Sequence, residues 1–291
     1  YYSKMEQGNK AKHDLMSLIA LAPTPSGVLE SKCIEGAIGR VFGGQTVAQA
    51  LRASSLALGS DRAPNSIHAY FVAPGVAQES MIYSPQVLKR GRSIDIVRAE
   101  AHQAERLILT AIVSFHRPEE SIEFQRSMPA TTAPENLSSS DFAPPGTNPL
   151  VRAPFDLRYV NYSEGLEAGG PGAEKLVWLK TRDLVESDRE ADHAALLAYA
   201  SDFLVTRAAH GELQHQGVTL TGTSIDHSMW FHRPFRVDDW LLVENEGLSF
   251  SSGRAFSRSH VFDRGGDLVA SVTQEAILRP IAELIGNATR S

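Results

Sequence analysis

Two polar side chains stand in segments that are expected to be buried, a mostly apolar helix and a core strand. Asp202 lies in the segment 194–205, and Gln274 lies near the end of the segment 269–275. An ionised carboxylate removed from water costs several kcal/mol unless donors surround it, and a buried amide must be hydrogen-bonded. Both side chains are therefore candidates for catalytic chemistry. The competing interpretation of Asp202 is a structural carboxylate that accepts from nearby backbone amides or lies at a frayed helix end.

A third candidate is the run 223–228, Thr-Ser-Ile-Asp-His-Ser, which contains the residue types of a Ser/His/Asp triad. Neighbouring residues on a strand point to opposite faces, so Asp226, His227 and Ser228 cannot converge. The chain also has no Gly-x-Ser-x-Gly motif. The sequence therefore does not favour a serine nucleophile. His232 and Arg233 follow, and they could contact ligand phosphates, although an exposed strand end is the simpler interpretation.

The sequence predicts neither a metal nor a cofactor. His210 and His215 lack the H-E-x-x-H frame, and the one cysteine, Cys33, has no partner for a zinc site. Cys33 is expected to be a small, half-buried residue. Gly43-Gly44 alone is not a dinucleotide fingerprint, and it more simply permits close approach of a helix to a sheet.

Composition excludes several classes of protein. The net charge is −6, with no basic block for nucleic acid, and no apolar run reaches the roughly 20 residues of a membrane span. Local Arg residues and helix N-termini could still hold an anionic ligand. The single cysteine and the lack of a signal-peptide pattern lead us to expect a cytoplasmic protein.

The chain repeats itself. The segment 91–118 begins with Gly-Arg and ends with Arg-Pro, as does 253–280, at an offset of 162 positions. An aromatic-Phe-x-x-Pro frame at 70–74 recurs at 230–234, at an offset of 160. Two frames in the same order at nearly the same offset indicate two copies of one domain.

Each copy is predicted to hold one buried helix, over 45–58 and 194–205, because these stretches are apolar nearly all round. Strand-like runs follow each helix, with a hairpin turn at 263–267. A sheet curled around a buried helix is the hot-dog arrangement, so we predict an α+β tandem double hot-dog. The predicted strands are 65–73, 80–88, 93–101, 107–116, 223–232, 240–249, 254–263 and 268–278.

The predicted organisation has three parts: a first hot-dog domain over 10–117, a linker over 118–154 and a second hot-dog domain over 155–283. The linker holds seven of the fifteen prolines. We expect it to lack regular structure and to run over the outside of the fold.

In a duplicated fold, equivalent buried positions can hold the same kind of residue in both copies. A buried polar residue that occurs in only one copy is therefore a candidate for chemistry. By the offset of 162, Gln274 stands where the first copy has Ile112. The second copy is therefore the expected location of any chemistry.

Five runs carry a resemblance to a known family. The first copy has Gly-Arg-Val-Phe-Gly-Gly-Gln at 39–45 and Ala-Gln-Ala-Leu at 48–51. The second has Leu-Ala-Tyr-Ala-Ser-Asp at 197–202, Ser-Ile-Asp-His-Ser-Met-Trp-Phe-His-Arg-Pro at 224–234, and Val-Thr-Gln-Glu at 272–275. These runs resemble the acyl-CoA thioesterase II family, and the resemblance covers most of the chain.

The resemblance implies a hydrolase of acyl-CoA that uses neither a metal nor a covalent intermediate, with coenzyme A as part of the substrate. It implies that Asp202, Ser224 and Gln274 orient and activate a water molecule. The family often has Thr where this chain has Ser224, which keeps the hydroxyl but loses the methyl that restricts its rotamer.

An oxyanion formed during hydrolysis needs preorganised donors. The backbone amides of Gly43, Gly44 and Gln45 are candidates, because they lie at a predicted helix N-terminus. The acyl chain needs an apolar tunnel beside a buried helix.

Two other functions stay open on the sequence. A hot-dog enoyl-CoA hydratase or dehydratase would pair an Asp with a catalytic His, for which His193 and His227 are available. A non-catalytic acyl-CoA binding protein would explain the apolar helix but not Asp202 and Gln274. The resemblance also suggests a homo-oligomer.

Overall fold

The computed structural model describes residues 15–37, 39–59, 62–140, 148–160, 176–214 and 220–280. Its helices are α1 (Leu15–Leu18), α2 (Gly43–Leu58) and α3 (Glu190–Gln214), with 3₁₀ helices at Pro134–Asn136 and Pro149–Val151. The strands are β1 (Ala22–Pro23), β2 (Leu29–Ser31), β3 (Glu35–Ala37), β4 (Arg40–Val41), β5 (Ala63–Phe71), β6 (Met81–Lys89), β7 (Ile94–Gln103), β8 (Arg106–His116), β9 (Phe155–Tyr159), β10 (Leu176–Thr181), β11 (Leu220–Ser224), β12 (Asp226–Phe231), β13 (Leu241–Ser251), β14 (Arg254–Asp263) and β15 (Leu268–Pro280).

Twelve of these strands form one continuous antiparallel path, in the order β1-β2-β6-β7-β8-β5-β12-β15-β14-β13-β10-β9, with β11 paired to β15 beside β12. The first-copy strands fill one half of the path and the second-copy strands fill the other. Helices α2 and α3 carry most of the buried residues that face this sheet, and they also pack against each other. The predicted α+β double hot-dog is confirmed.

The two predicted helices and seven of the eight predicted strands agree with the structure except at their ends. Helix α2 begins two residues before the predicted start and ends at Leu58, as predicted, and the capping residue Gly59 takes a left-handed conformation with φ 59°. Helix α3 is longer than predicted at both ends, because the prediction followed apolar residues and the first turn carries Glu190 and Asp192. Acidic residues are favourable there, near the positive end of the helix dipole.

The predicted strand 223–232 is wrong in one respect, since it consists of two strands. Residue Ile225 separates β11 from β12: its N–H donates to the carbonyl of Glu275 at 2.8 Å, and its carbonyl accepts from Phe71 at 2.9 Å. The chain changes partner here, because β11 pairs only with β15 whereas β12 lies between β15 and β5.

The two copies meet where β5 pairs with β12, and the pairing is symmetric. His68 lies opposite Ser228, its own counterpart at the offset of 160, and His68 Nδ1 is 3.2 Å from Ser228 Oγ. A pseudo-twofold axis therefore passes through this pair, and positions equivalent in the two copies can be read from the strand register.

That register corrects the offset of 162. In the first copy His68 lies opposite Ile112, and in the second Ser228 lies opposite Thr273, so Thr273 and not Gln274 takes the place of Ile112. The β14–β15 hairpin is one residue longer than its counterpart, so the last strand of each copy is related by 161 positions.

The corrected register changes which first-copy residue is equivalent to Gln274. Gln274 still differs from an apolar residue of the first copy. Because side chains alternate along a strand, a shift of one residue exchanges the two faces. Ile112 points outward and is 39% exposed, whereas Gln274 faces the helices and is 1% exposed. The true counterpart of Gln274 is Val113, which is fully buried and lies opposite Ile67.

The chain between the copies packs against the second copy. Gln125 bonds to the hairpin after β14 through Gly266 at 2.7 Å and Leu268 at 3.0 Å, and the carbonyl of Thr132 accepts from Trp178 Nε1 at 2.8 Å. Within the described part of 118–154, regular structure is limited to the two 3₁₀ helices.

The turn between β14 and β15 follows the hairpin prediction. Asp263 N–H donates to the carbonyl of Asp267 at 2.9 Å, and Gly266 N–H donates back to the Asp263 carbonyl at 3.2 Å. Gly266 has φ 95°, a conformation that favours glycine.

Candidate active site

Asp202 lies near the middle of α3, on the side of the helix that faces the sheet. Asp202 is buried, with 7% of its surface exposed to solvent. Gln274 Nε2 donates to Asp202 Oδ1 at 3.0 Å. The carboxylate thus has a donor from the strand that the sequence singled out, as a buried charge requires.

Ser224 completes the group of three. It is the last residue of β11, just before the break at Ile225, and Gln274 Nε2 also donates to Ser224 Oγ, at 2.5 Å. Gln274 therefore uses both amide hydrogens, one toward the carboxylate and one toward the hydroxyl. The structure brings together all three side chains that the resemblance selected.

His227 is a fourth member that the sequence analysis did not place in this group. It is fully buried, and its Nδ1 is 2.5 Å from Gln274 Oε1 while its Nε2 is 3.0 Å from Ser201 Oγ. Burial lowers the pKa of His227 despite the nearby Asp202 carboxylate, so the ring is neutral at pH 7.

A signal for His227 was available in the sequence. At the offset of 160, His227 stands where the first copy has the buried Ile67, which is the same criterion that selected Gln274. The neighbours of His227 do diverge as predicted. Asp226 Oδ1 accepts from the Glu275 N–H at 2.8 Å, while Ser228 bonds outward to His68.

The N-terminus of α2 adjoins Asp202. A Cβ atom on Gly43 would lie 3.1 Å from Asp202 Oδ2, and one on Gly44 would collide with the backbone carbonyl of Tyr199. Only glycine allows the two helices to approach this closely. The first N–H groups of α2 have no intrahelical acceptor, and they carry the positive end of the helix dipole.

Only the backbone of Gln45 lies at the helix N-terminus beside Asp202. Its side chain turns away to the N-terminal segment, where Oε1 accepts from the Ile34 N–H at 2.7 Å and Nε2 donates to the Leu18 and Lys32 carbonyls at 3.2 Å each. The side chain of Gln45 anchors the segment that precedes α2.

Tyr199 stands one turn before Asp202 on α3, so the two side chains share a face. Its hydroxyl is buried and has no hydrogen-bond partner among the described residues. Burial, and then the charge of Asp202, raise the pKa of Tyr199 well above its usual value. The ring packs edge-on against Phe42, with centroids 4.8 Å apart.

The other residues considered for binding or chemistry have structural partners. His232 Nε2 is 2.9 Å from Ser271 Oγ, and Arg233 pairs with Glu123 at 2.9 Å. His193 Nε2 is 2.9 Å from the Ser187 carbonyl.

The described side chains leave out two histidines that the sequence named as possible metal ligands. His215 lies outside the described residues, as does the side chain of His210. Within the described ranges no three His, Cys, Asp or Glu side chains are grouped as metal ligands. Cys33 is half-buried, and burial raises the pKa of its thiol to about 11, so it stays protonated at pH 7.

A groove of about 700 Å³ lies elsewhere in the second copy, beside the start of α3 and the loop before β13. Its lining includes His193, Arg236 and Trp240, but not Asp202, Ser224 or Gln274. Mixed charges line it, with Arg236 paired to Asp238 at 3.0 Å. The apolar tunnel expected for an acyl chain is not this groove.

Comparison with known proteins adds a second, independent line of observation. The family model of the acyl-CoA thioesterase N-terminal domain matches residues 35–116, and that of the C-terminal domain matches residues 130–278. Acyl-CoA thioesterase 2 of Haemophilus influenzae is 32% identical over 282 residues, which covers 92% of this chain and 97% of that protein. The chain belongs to the acyl-CoA thioesterase II family.

Solved structures of this family have the same fold. The tesB protein of Mycobacterium avium subsp. paratuberculosis superposes with a TM-score of 0.78 at 25% identity, covering 93% of this chain and all 100% of that chain. An acyl-CoA thioesterase II of Mycobacterium marinum gives 0.76 at 29% identity, covering 92% and 99%.

Among the helices in the described ranges, none combines the length and apolar character needed to cross a membrane.

Proposed function

We propose that this protein hydrolyses acyl-CoA thioesters to a carboxylic acid and coenzyme A, with Asp202 as the general base. One observation carries the proposal: a buried carboxylate, a hydroxyl and an amide meet at Gln274 Nε2, beside the N-terminus of α2. Membership of the acyl-CoA thioesterase II family supports the choice of substrate.

The first step is the activation of water. Gln274 Nε2 donates to Ser224 Oγ, so the Ser224 proton is free to hold the oxygen of a water molecule. A water placed between Ser224 and Asp202 gives one proton to the carboxylate as its oxygen attacks the thioester carbonyl carbon. General-base catalysis of this kind contributes about 10²–10⁴-fold to the rate.

The second step is stabilisation of the oxyanion. Attack converts the carbonyl oxygen to an alkoxide, which needs donors that are already in place. The N–H groups of Gly43, Gly44 and Gln45 supply them in this proposal, because the first turn of α2 leaves these donors without intrahelical acceptors. Collapse of the intermediate breaks the C–S bond, and the departing sulfur takes the proton held by Asp202.

This route requires no metal and no cofactor, since coenzyme A enters as part of the substrate. A chelator should therefore leave the rate unchanged. Rate measurements before and after dialysis against EDTA check this, and a rate restored only by an added divalent cation would contradict it.

The principal experiment is thiol release from a series of saturated acyl-CoA substrates of increasing chain length, with Asp202→Asn as the control. Wild-type protein should release thiol, and the variant should do so at least about 10²-fold more slowly. A saturated substrate also separates hydrolysis from hydration, because it offers no double bond. Binding without thiol release would favour a non-catalytic acyl-CoA binding protein.

The geometry favours hydrolysis over hydration. A hydratase needs a histidine with a ring nitrogen free for the substrate, and both ring nitrogens of His227 and both of His193 have hydrogen-bond partners.

We further propose a cytoplasmic homo-oligomer. The single cysteine supports a reducing compartment. Sedimentation equilibrium of the full chain tests the assembly, and a purely monomeric species at micromolar concentration would contradict it.

A further inference from the structure

The amide of Gln274 can be placed in two ways that differ only by exchange of its oxygen and nitrogen. In one, Nε2 faces Asp202 and Ser224, as required for holding the carboxylate. In the other, the amide oxygen faces the carboxylate, and two acceptors oppose each other. The orientation of this amide therefore decides whether the site is assembled.

His227 lies on the opposite side of the same amide. Its Nδ1 is 2.5 Å from Gln274 Oε1, and an amide oxygen can only accept. The ring must therefore carry its proton on Nδ1. Since burial lowers the pKa of His227 and keeps the ring neutral, Nε2 is then without a proton and needs a donor.

Ser201 provides that donor. Its hydroxyl is 3.0 Å from His227 Nε2, and Ser201 is buried on α3 one residue before Asp202. The Ala198 carbonyl, at 3.0 Å, and the Met229 sulfur, at 3.3 Å, are alternative acceptors for the same hydroxyl. Only donation to Nε2 leaves the proton of the ring on Nδ1, facing Gln274.

We propose that His227, held by Ser201, is a positioning residue that fixes the Gln274 amide with its nitrogen toward Asp202 and Ser224. The order of donation is Ser201 hydroxyl to His227 Nε2, His227 Nδ1 to Gln274 Oε1, and Gln274 Nε2 to Asp202 and Ser224. His227 does not touch the reacting atoms, and its effect on hydrolysis passes through Gln274. The inference rests on the proposed function only for its kinetic consequences.

Three substitutions at one position test the contact kinetically. His227→Asn keeps an N–H close to the place of Nδ1, whereas His227→Gln places its amide nearer Nε2, and His227→Ile installs the residue of the first copy. We expect kcat to fall about 10-fold in the Ile and Gln variants, from loss of one hydrogen bond in a charged network, with KM nearly unchanged. The Asn variant should keep kcat within about 3-fold of wild type.

A double-mutant cycle separates positioning from a merely structural role. In a Gln274→Val background, His227→Ile should lower kcat by less than about 2-fold, because the amide to be oriented is gone. Equal losses in the Asn and Ile variants, or losses that multiply in the double variant, would overturn the proposal. Should the Ile variant fail to fold, the comparison of Asn with Gln still decides.

The tautomer can be measured without any activity. Nitrogen-15 NMR of histidine-labelled protein, with His227→Asn used to assign the signal, should show His227 neutral and protonated on Nδ1 at pH 7. A proton on Nε2 would overturn the inference whether or not the protein hydrolyses acyl-CoA. Absence of thiol release with an Nδ1 proton would overturn the proposed function alone.

Discussion

The two copies place different side chains at the same pair of inward positions beside the middle of the sheet. The first copy has Ile67 opposite Val113, and the second has His227 and Gln274. Each of these four residues exposes at most 1% of its surface to solvent. In the first copy the pair packs as core, and in the second it forms a hydrogen-bonded chain that leads to Asp202. At these two positions the first-copy sheet is plain core, whereas the second-copy sheet holds part of the candidate site.

The strongest test of this difference is Asp202→Asn. The variant keeps the shape of the side chain and an oxygen that accepts from Gln274 Nε2, but it removes the proposed base. We expect kcat to fall by about 10²-fold or more, within the range for a lost general base. Thiol release from a saturated acyl-CoA measures it.

The fold should survive this substitution, and a thermal unfolding curve that overlays the wild type is the control. Wild-type kcat in a folded Asp202→Asn protein would remove Asp202 from the mechanism.

A second test makes the second copy resemble the first. Gln274→Val removes the donor shared by Asp202 and Ser224, and a hydrogen bond to a charged group contributes about 1.5–3 kcal/mol. We therefore expect kcat to fall by roughly 10–100-fold. Steady-state kinetics with a fixed substrate checks this. An unchanged rate would mean that the amide only packs.

The matched control makes the first copy resemble the second. Val113→Gln buries an amide beside Ile67, where the strand partner offers no hydrogen bond. The free energy of unfolding should fall by about 1–3 kcal/mol, while kcat of the folded protein stays the same. Urea denaturation and thiol release measure the two quantities. A large loss of kcat would show that the core of the first-copy sheet at Val113 also affects the chemistry.

The smallest expected effect concerns pH. Burial lowers the pKa of His227 below its unfolded value of 6.5, so the unfolded chain binds a proton more readily. The stability due to neutral His227 is complete above pH 6.5 and is lost as the pH falls below it. The melting temperature should therefore drop less between pH 7.5 and 5.5 in His227→Ile than in wild type. An equal drop would assign the acid sensitivity to other groups.

The sequence predicted the fold through periodicity, since apolar helices and alternating strands leave a pattern that survives in each copy. It selected Asp202 and Gln274 because polar residues in apolar elements are costly. It missed the register, because a one-residue change in the β14–β15 hairpin is invisible to matching of short frames. Gln274 was consequently compared with the outward Ile112 instead of the inward Val113.

His227 shows the other boundary of sequence reasoning. The sequence presents His227 only as part of a possible triad with Asp226 and Ser228, which strand geometry argues against. That argument leaves the His227 ring without a role of its own. The contacts that define its surroundings come from residues 26 and 47 positions away, Ser201 and Gln274. The pattern of residues within one strand or one helix cannot predict these hydrogen bonds, because they form only when α3 and β15 pack around His227.

The close approach of Gly43 to Asp202 has a consequence for the newly made chain. The proposed base, Asp202, belongs to the half that is synthesised last, and the helix terminus beside it belongs to the half that is synthesised first. A nascent or truncated polypeptide with either half alone has an incomplete site. We therefore expect synthesis to give an inert protein until β12 docks on β5, so that prematurely terminated products are harmless to the cellular pool of thioesters.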